Sequence, residues 1–315
     1  MPPELLVTGA LNWDLNLFVK RLPKSGEEVV VERIERVPGG KGGNVSVAAA
    51  RILGSKRVAL MACVGKDEVG RKQISILKEE GVDTTAIQVL DRVESGQAYI
   101  TVDEMGTNVI ETHFGANAGL RHEHIMKQTV QSLLGSCSVM VVIDPPRQVA
   151  GRILAEGRRL RRSVIWHPGV LTRFGIKEFE GEMEDLDYLV LNEVEASHFT
   201  KTRGLENSLA SISKRAPKAR ILVTLGSRGA AFYEKGNLSK VENVQLEKLG
   251  KKVVNTTGCG DAFVGAFAAY KILGRNDKEA LQYANMAGAL KATRAETRGS
   301  PSRKELEDTY KKYFA

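Results

Sequence analysis

Short apolar runs alternate with stretches whose hydrophobic residues recur every three to four positions, and this alternation governs most of the chain. Runs at 5–9, 57–64, 139–143, 163–166, 188–191 and 221–225 are brief and apolar, as strands buried on both faces of a parallel sheet should be. Between them, 44–53, 68–80, 124–134, 150–160 and 205–215 carry helical patterns of ordinary crossover length. The pattern predicts an α/β fold, a doubly wound and mostly parallel sheet with helices on both faces. Two stretches, about 15–37 and about 86–113, break the alternation with strand-like text and no long helix. The second, AIQVLDRVESGQAYITVDEMGTNVIETHF, alternates with period two around a turn at 104–107 and reads as a β-meander inserted into the α/β core. Such a sheet cannot cover itself, so it is either a small lid over a site or an edge extension of the main sheet. The last third turns helical at 258–274, 278–293 and 302–313.

Composition narrows the class. A chain of 315 residues buries roughly three-quarters of its extended surface and needs no staples. With 42% hydrophobic and 27% charged residues at a mean hydropathy of -0.21, it is neither disordered nor fibrous. No apolar run approaches the ~18 to 20 residues a bilayer demands, and the opening MPPELLVTGALNWDL lacks the marks of a signal peptide. Cys63, Cys137 and Cys259 form no C-x-x-C pair and read as reduced, so a cytoplasmic address is expected. The net charge of +8 could mean nucleic acid, but aromatics are only 6% and acids are interleaved almost everywhere. RRLRR at 158–162 is the one basic cluster, read as a solvated helix end, and a general field for phosphorylated small molecules is the second reading of the charge.

The glycine-rich stretches carry the candidate chemistry. In NTTGCGDAFVGAFAAY, 255–270, a Thr-rich turn runs into an apolar helix, so Gly258 and Gly260 admit a ligand to the backbone and first-turn N–H groups face negative charge. Asp261 in that turn is either a favourable first-turn acid or a base that takes a proton from an alcohol while the N–H groups hold the charge of a transferring phosphoryl. Cys259, with no histidine beside it, reads as a packing residue. VPGGKGGNVSVAAARILG, 37–54, leads from another flexible turn into a helix of small residues. No Gly-Lys is followed by Ser or Thr, which excludes a P-loop, and Phe263 fills the third glycine position of GCGDAF, which excludes a dinucleotide fingerprint. Gly40, Lys41 and Asn44 then offer a backbone wall, a cation and an amide to hydroxyl groups.

Asn12 and Asp14 are expected in the loop at the C-terminal end of the first strand, to grip a polyol or to shape a turn. Gly226 and Gly229 bracket Ser227 and Arg228 in TLGSRGA, a tight turn or a seat for nucleotide phosphate. In NEVE, Asn192 and Glu195 stand one helical turn apart, suited to a hydrated Mg²⁺ or to a helix cap. The five histidines make no zinc set, and there is no nucleophile elbow.

Taken together, these pieces resemble the ribokinase/PfkB family of carbohydrate kinases over nearly the whole chain. GGKGGN (39–44) resembles the family's first motif, NTTGCGDAF (255–263) its second, NEVEASHFT (192–200) its Asn-x-x-Glu motif and TLGSRGA its phosphate turn. ALMACVGKDEVG (59–70) and GANAGL (115–120) are similar to the ribokinase branch. The resemblance implies one ribokinase-like α/β domain over 1–315, with a small β-sheet lid formed by the two insertions and often clasped against a second subunit's lid in a homodimer. It implies phosphoryl transfer from ATP or ADP to the primary hydroxyl of ribose or a related pentose, with Mg²⁺. By matching positions, Asp261 would be the base, and the N–H groups of Gly258, Cys259 and Gly260 the anion hole. Asn12, Asp14, Gly40, Lys41, Asn44 and Asp144 would hold the sugar, Asp144 being one carbon shorter than the branch's glutamate. Thr224, Gly226, Ser227 and Gly229 would line the nucleotide phosphates, with Asn285 near the base and Asn192 and Glu195 organising Mg²⁺ through water.

Three departures bear on substrate and cofactor. Asn255 stands where the family carries an Asp that helps bind an activating monovalent cation, so weaker K⁺ activation is expected. His167 replaces an Asn before Pro168, and Trp13 separates the two N-terminal sugar residues. With the +8 charge they motivate an alternative acceptor, a nucleoside or ribose 1-phosphate. A sugar- or nucleotide-binding regulator touching nucleic acid is the non-enzyme alternative, and Asp261 speaks against it.

Overall fold

The computed structural model describes residues 2–184 and 186–314. Thirteen strands are seen among them, in chain order β1 (Leu5–Gly9), β2 (Asn12–Val19), β3 (Val31–Gly39), β4 (Val58–Gly65), β5 (Ile87–Leu90), β6 (Gly96–Val102), β7 (Asn108–His113), β8 (Val139–Ile143), β9 (Ser163–His167), β10 (Tyr188–Asn192), β11 (Arg220–Thr224), β12 (Ala230–Glu234) and β13 (Asn237–Val241). Nine form one sheet in the order β13-β12-β11-β10-β9-β8-β1-β4-β5, with every pairing parallel except those of β12 with β11 and β13. β1, β4 and β8 are buried at every position, which is why their text is continuously apolar.

Alternate side chains of β1 feed two cores. Leu5 and Val7 pack toward the side of helices Lys41–Leu53, Cys259–Ile272 and Asp277–Ala292, and Leu6 toward helices Gln128–Ser136, Arg147–Arg159 and Leu205–Arg215. Burying each such Leu or Val contributes about 1.5 to 3 kcal/mol. The helix Cys259–Ile272 is buried continuously from Asp261 to Tyr270, so an apolar sequence without a clear polar face is what its position demands.

β1 lies inside the sheet, and the later strands are added on both sides of it, β4 and β5 on one and β8 to β13 on the other. A sheet built this way opens a crevice where its winding reverses, outside the carboxyl ends of those strands.

A second sheet, ordered β3-β2-β6-β7, stands over that end. Two sequence expectations change here. Asn12 and Asp14 are not in a loop: they lie in β2, paired with Gly39 and Val37 of β3 and with Gly96 and Ala98 of β6. The second insertion contributes fewer lid strands than its text suggested, because Ile87–Leu90 pairs in parallel with β4 at the edge of the main sheet. Both readings of that stretch therefore hold for different parts of it. β12 and β13 went unread because one alternates weakly and the other, NLSKV, is a polar edge. No helix among the described residues is long and apolar enough to cross a membrane.

Candidate active site

Strands β8 to β11 each deliver a side chain or a turn to one rim. β8 is followed at once by Asp144, β9 ends at His167, β10 at Asn192 and β11 at Thr224. Across the rim, helices Lys41–Leu53 and Cys259–Ile272 run against each other so closely that a Cβ on Gly265 would sit 2.7 Å from the Val45 carbonyl oxygen and from Ala48 Cβ. That approach joins residues far apart in sequence: Asn44 Nδ2 donates to Asp261 Oδ2 at 2.7 Å.

The start of the second helix is shaped by Gly258, whose φ of 83° favours glycine and whose missing side chain lets the Thr297 carbonyl approach. At this helix start the N–H groups of Gly258 and Gly260 are without a backbone partner among the described residues, while that of Cys259 is shared with the Thr256 carbonyl at 3.2 Å. Cys259 is inert as a nucleophile, since burial pushes its thiol up to about 11.

Asp261 is only 8% exposed. Burial pushes its carboxyl above the ordinary value, against the Asn44 hydrogen bond and the positive charge of Lys41 and of His167 when protonated. A carboxylate with raised proton affinity is a better acceptor for an alcohol proton. Lys41 forms an ion pair with Asp144, whose other oxygen accepts from Val170 N–H at 2.8 Å. Burial disfavours the Lys41 charge, but Asp144, Asp261 and Glu195 outweigh it and hold the ammonium above its usual value. Asp144 sits at φ 50°, a strained backbone for an aspartate, fixing it at the mouth of β8.

On the lid side, Asp14 is buried with its carboxyl pushed up to about 7 by desolvation and by Asp261, against the pull of Arg298. Arg298 is itself buried. Its Nε donates to Asn44 Oδ1 at 3.0 Å and its Nη2 to the Gly39 carbonyl at 2.6 Å and Gln73 Oε1 at 2.9 Å, while Nη1 has no partner among the described residues. It thereby turns the Asn44 amide nitrogen toward Asp261. Asn12 Oδ1 accepts from Asn117 Nδ2 at 2.8 Å, and Asn117 also bonds both backbone groups of Leu11, clamping the passage from β1 into the lid. Gly40, at φ 86°, makes the matching passage from β3 into the first helix. Arg298 and Gln73 were not singled out from sequence, where nothing in their spacing marks them, and Asn117 was quoted only as part of GANAGL, without a role.

Behind the second helix's start opens a cavity of about 300 Å³. Thr224, Gly226, Ser227, Gly229 and Asn285 line it with Cys259 and Gly260, and Phe263, Leu246 and Val253 supply apolar walls. Asn285 spends its amide nitrogen on the Glu242 carbonyl at 2.9 Å, and its oxygen has no hydrogen-bond partner among the described residues. Asn192 and Glu195 form a capping box: Asn192 Oδ1 accepts from Glu195 N–H at 2.7 Å and Glu195 Oε2 from Asn192 N–H at 2.9 Å. Glu195 Oε2 lies 3.7 Å from His167 Nε2, and Oε1 makes no hydrogen bond among the described residues. No cluster of three or more His, Cys, Asp or Glu able to cage a metal is found among the described residues. Asn255 has both ends of its amide engaged, Oδ1 by Thr257 N–H at 2.9 Å and Nδ2 by the Ala295 carbonyl at 2.7 Å.

The site thus has a polar, charged side under the lid and a partly apolar cavity beyond it, with Asp261 at the seam between the two. Residues 2–304 match the family described as pfkB family carbohydrate kinase. The chain is 28% identical over 311 residues to a ribokinase of Haemophilus influenzae, covering 97% of both chains. It is 25% identical to an ATP-dependent ribose-1-phosphate kinase of Halopiger xanaduensis, covering 95% of each. The fold superposes on Arabidopsis thaliana ribokinase complexed with ribose and ATP with a TM-score of 0.85 at 24% identity, covering 98% of both.

Proposed function

The chain belongs to the pfkB family of carbohydrate kinases, phosphotransferases that act on a sugar hydroxyl, and we propose that it moves the terminal phosphoryl of ATP to the primary hydroxyl of ribose or a related pentose. The observation that carries this reading is the seam itself. Asp261 is tied to Asn44 on the acceptor side, and its neighbour Gly260 lines the cavity on the other. The sugar would lie under the lid against Asn12, Asp14, Lys41 and Asn44, its hydroxyls exchanging with the Lys41–Asp144 ion pair. Thr224, Gly226, Ser227 and Gly229 would seat the nucleotide phosphates, with Asn285 near the base.

In the reaction so read, Asp261 takes the proton of the primary hydroxyl as its oxygen attacks the terminal phosphorus in line. The bond to the nucleotide's bridging oxygen breaks and the diphosphate leaves. N–H groups of Gly258 and Gly260 and the Lys41 ammonium face the charge on the transferring group. A positioned base supplies typically ~10² to 10⁴ in rate. Magnesium would enter with the nucleotide as a hydrated ion, held through water by Glu195 Oε1, the oxygen its capping box leaves free; Asn192 is spent as the cap. Bound there, the ion would neutralise phosphate charge.

One observation favours a second acceptor. Arg298 is buried beside Asn44 with Nη1 unpartnered among the described residues, a positive charge whose field would favour a phosphorylated sugar such as ribose 1-phosphate. The lid also leaves Ile34, Tyr99, Val109 and Ile110 exposed, which supports pairing with a second copy's lid. The experiment is a kinase assay crossing ATP and ADP with pentoses, hexoses, nucleosides and ribose 1-phosphate. The reading expects the highest kcat/KM for ATP with a free pentose; a rate far higher on ribose 1-phosphate or a nucleoside moves the assignment to that acceptor.

A further inference from the structure

One charge near the reaction is not used by anything above. Lys291, inside helix Asp277–Ala292, is 0% exposed. Its Nζ donates to the Asn255 carbonyl at 2.9 Å and reaches the Arg294 carbonyl at 3.5 Å. Those two carbonyls belong to segments that build the turn before Asp261. Val254 and Asn255 N–H groups donate to the Ala292 carbonyl, and the Asn255 side chain ties Thr257 to Ala295. Gly258 then rests on the Thr297 carbonyl. The ammonium is therefore lodged between the two strands of chain that position the phosphoryl-binding turn.

A buried lysine head is costly unless carbonyls or charges compensate it. Desolvation here pushes Lys291 below its usual value, and Cys259, Glu296 and Asp261 oppose that push. The same place does not suit a free monovalent cation. Such an ion wants a cage of carbonyl or carboxylate oxygens. Here two carbonyls are taken by Nζ, and Asn255 brings no charge and has both amide ends occupied. Asn255 supplies no negative charge to balance an added ion, and a cation is already attached to the chain.

We propose that the Lys291 ammonium is a built-in substitute for an activating monovalent cation, holding the Asn255–Gly258 turn and its field in place so that turnover needs no K⁺. Lys291 acts through the turn and is a positioning residue. The inference rests on the reading of that turn as the phosphoryl site, and the two can fail separately, because cation binding is also followed by thermal stability without turnover.

The experiment compares the full-length protein with Lys291→Met and with Lys291→Met/Asn255→Asp, each in KCl, NH₄Cl and choline chloride at matched ionic strength. The wild type should turn over equally in all three, within about twofold. Lys291→Met should lose about tenfold or more in kcat in choline, less than the ~10² to 10³ that follows loss of a donor touching the developing charge. K⁺ or NH₄⁺ should return part of that loss, most fully in the double variant. K⁺ should raise the melting temperature of the double variant and leave that of the wild type unmoved. Several-fold K⁺ activation of the wild type, a K⁺-dependent wild-type melting temperature, or a folded Lys291→Met with full turnover in choline overturns the proposal.

Discussion

Replacing Asp14 by Asn should make the protein more stable at alkaline pH and worse at holding its acceptor. Asp14 is 6% exposed, and its carboxyl is pushed from an ordinary 3.8 to about 7, first by desolvation and further by Asp261 against Arg298. The unfolded chain therefore releases this proton near pH 4 while the folded chain keeps it until about pH 7. Because the folded value is the higher one, the contribution to stability is largest below pH 4, falls as pH rises through the window, and is fully lost above pH 7. At about 1.4 kcal/mol per pH unit, a gap of roughly three units amounts to about 4 kcal/mol as an upper bound, of which about 2 kcal/mol falls between pH 5.5 and 8.5. Asparagine has the same shape and no such titration. The attraction of the Asp14 anion to Arg298, which asparagine lacks, is already contained in the net shift, and only the pH-independent effects of the amide drop out of the difference. Urea unfolding of both proteins at pH 5.5 and 8.5 should show the variant gaining about 2 kcal/mol relative to wild type at the higher pH. The variant should also need a higher acceptor concentration, with nucleotide KM unchanged. A stability difference that stays constant with pH to within about 0.5 kcal/mol would refute the argument that this carboxyl is held in an unfavourable, ligand-ready state.

Two further substitutions test the nucleotide side. Gly229 has φ 91° and a Cβ there would fall 2.0 Å from the Val241 carbonyl, so Gly229→Ala should raise nucleotide KM about tenfold or more and cost roughly 1 to 3 kcal/mol, read by steady-state kinetics and melting. Asn192→Ala removes the Asn192 Oδ1 half of the capping box and should cost about 1 kcal/mol; the Asn192 backbone N–H that seats Glu195 Oε2 remains, so a Mg²⁺ titration should show activation close to that of the wild type.

Much of this architecture was legible because burial leaves a plain mark on text. β1, β4 and β8 are apolar at nearly every position since both faces are covered, and the glycine turns before Lys41 and Cys259 announce helices that begin at the candidate site. The errors have physical causes. β2 is half-buried at most positions, so NWDLNLFV lacks the clean alternation that would have placed Asn12 and Asp14 in a strand rather than a loop. Ile87–Leu90 reads like the lid strands that follow it, and only its parallel pairing with β4 separates it from them. Arg298 and Lys291 stayed invisible because a lone cation in a helix or loop usually marks a solvated face. That these two lie at 6% and 0% exposure is a property of how distant segments meet. The capping box of Asn192 and Glu195 was an open alternative in sequence, and its spacing could not say which oxygen remains free.

The account stands most directly on the carboxylate at the seam. Asp261→Asn keeps the hydrogen-bonding shape next to Asn44 and removes only the capacity to take a proton. With ATP and the preferred acceptor, its kcat should fall by ~10² to 10⁴ while calorimetric affinities for both ligands stay within a few-fold of wild type. Turnover within tenfold of wild type, with both ligands still bound, contradicts it.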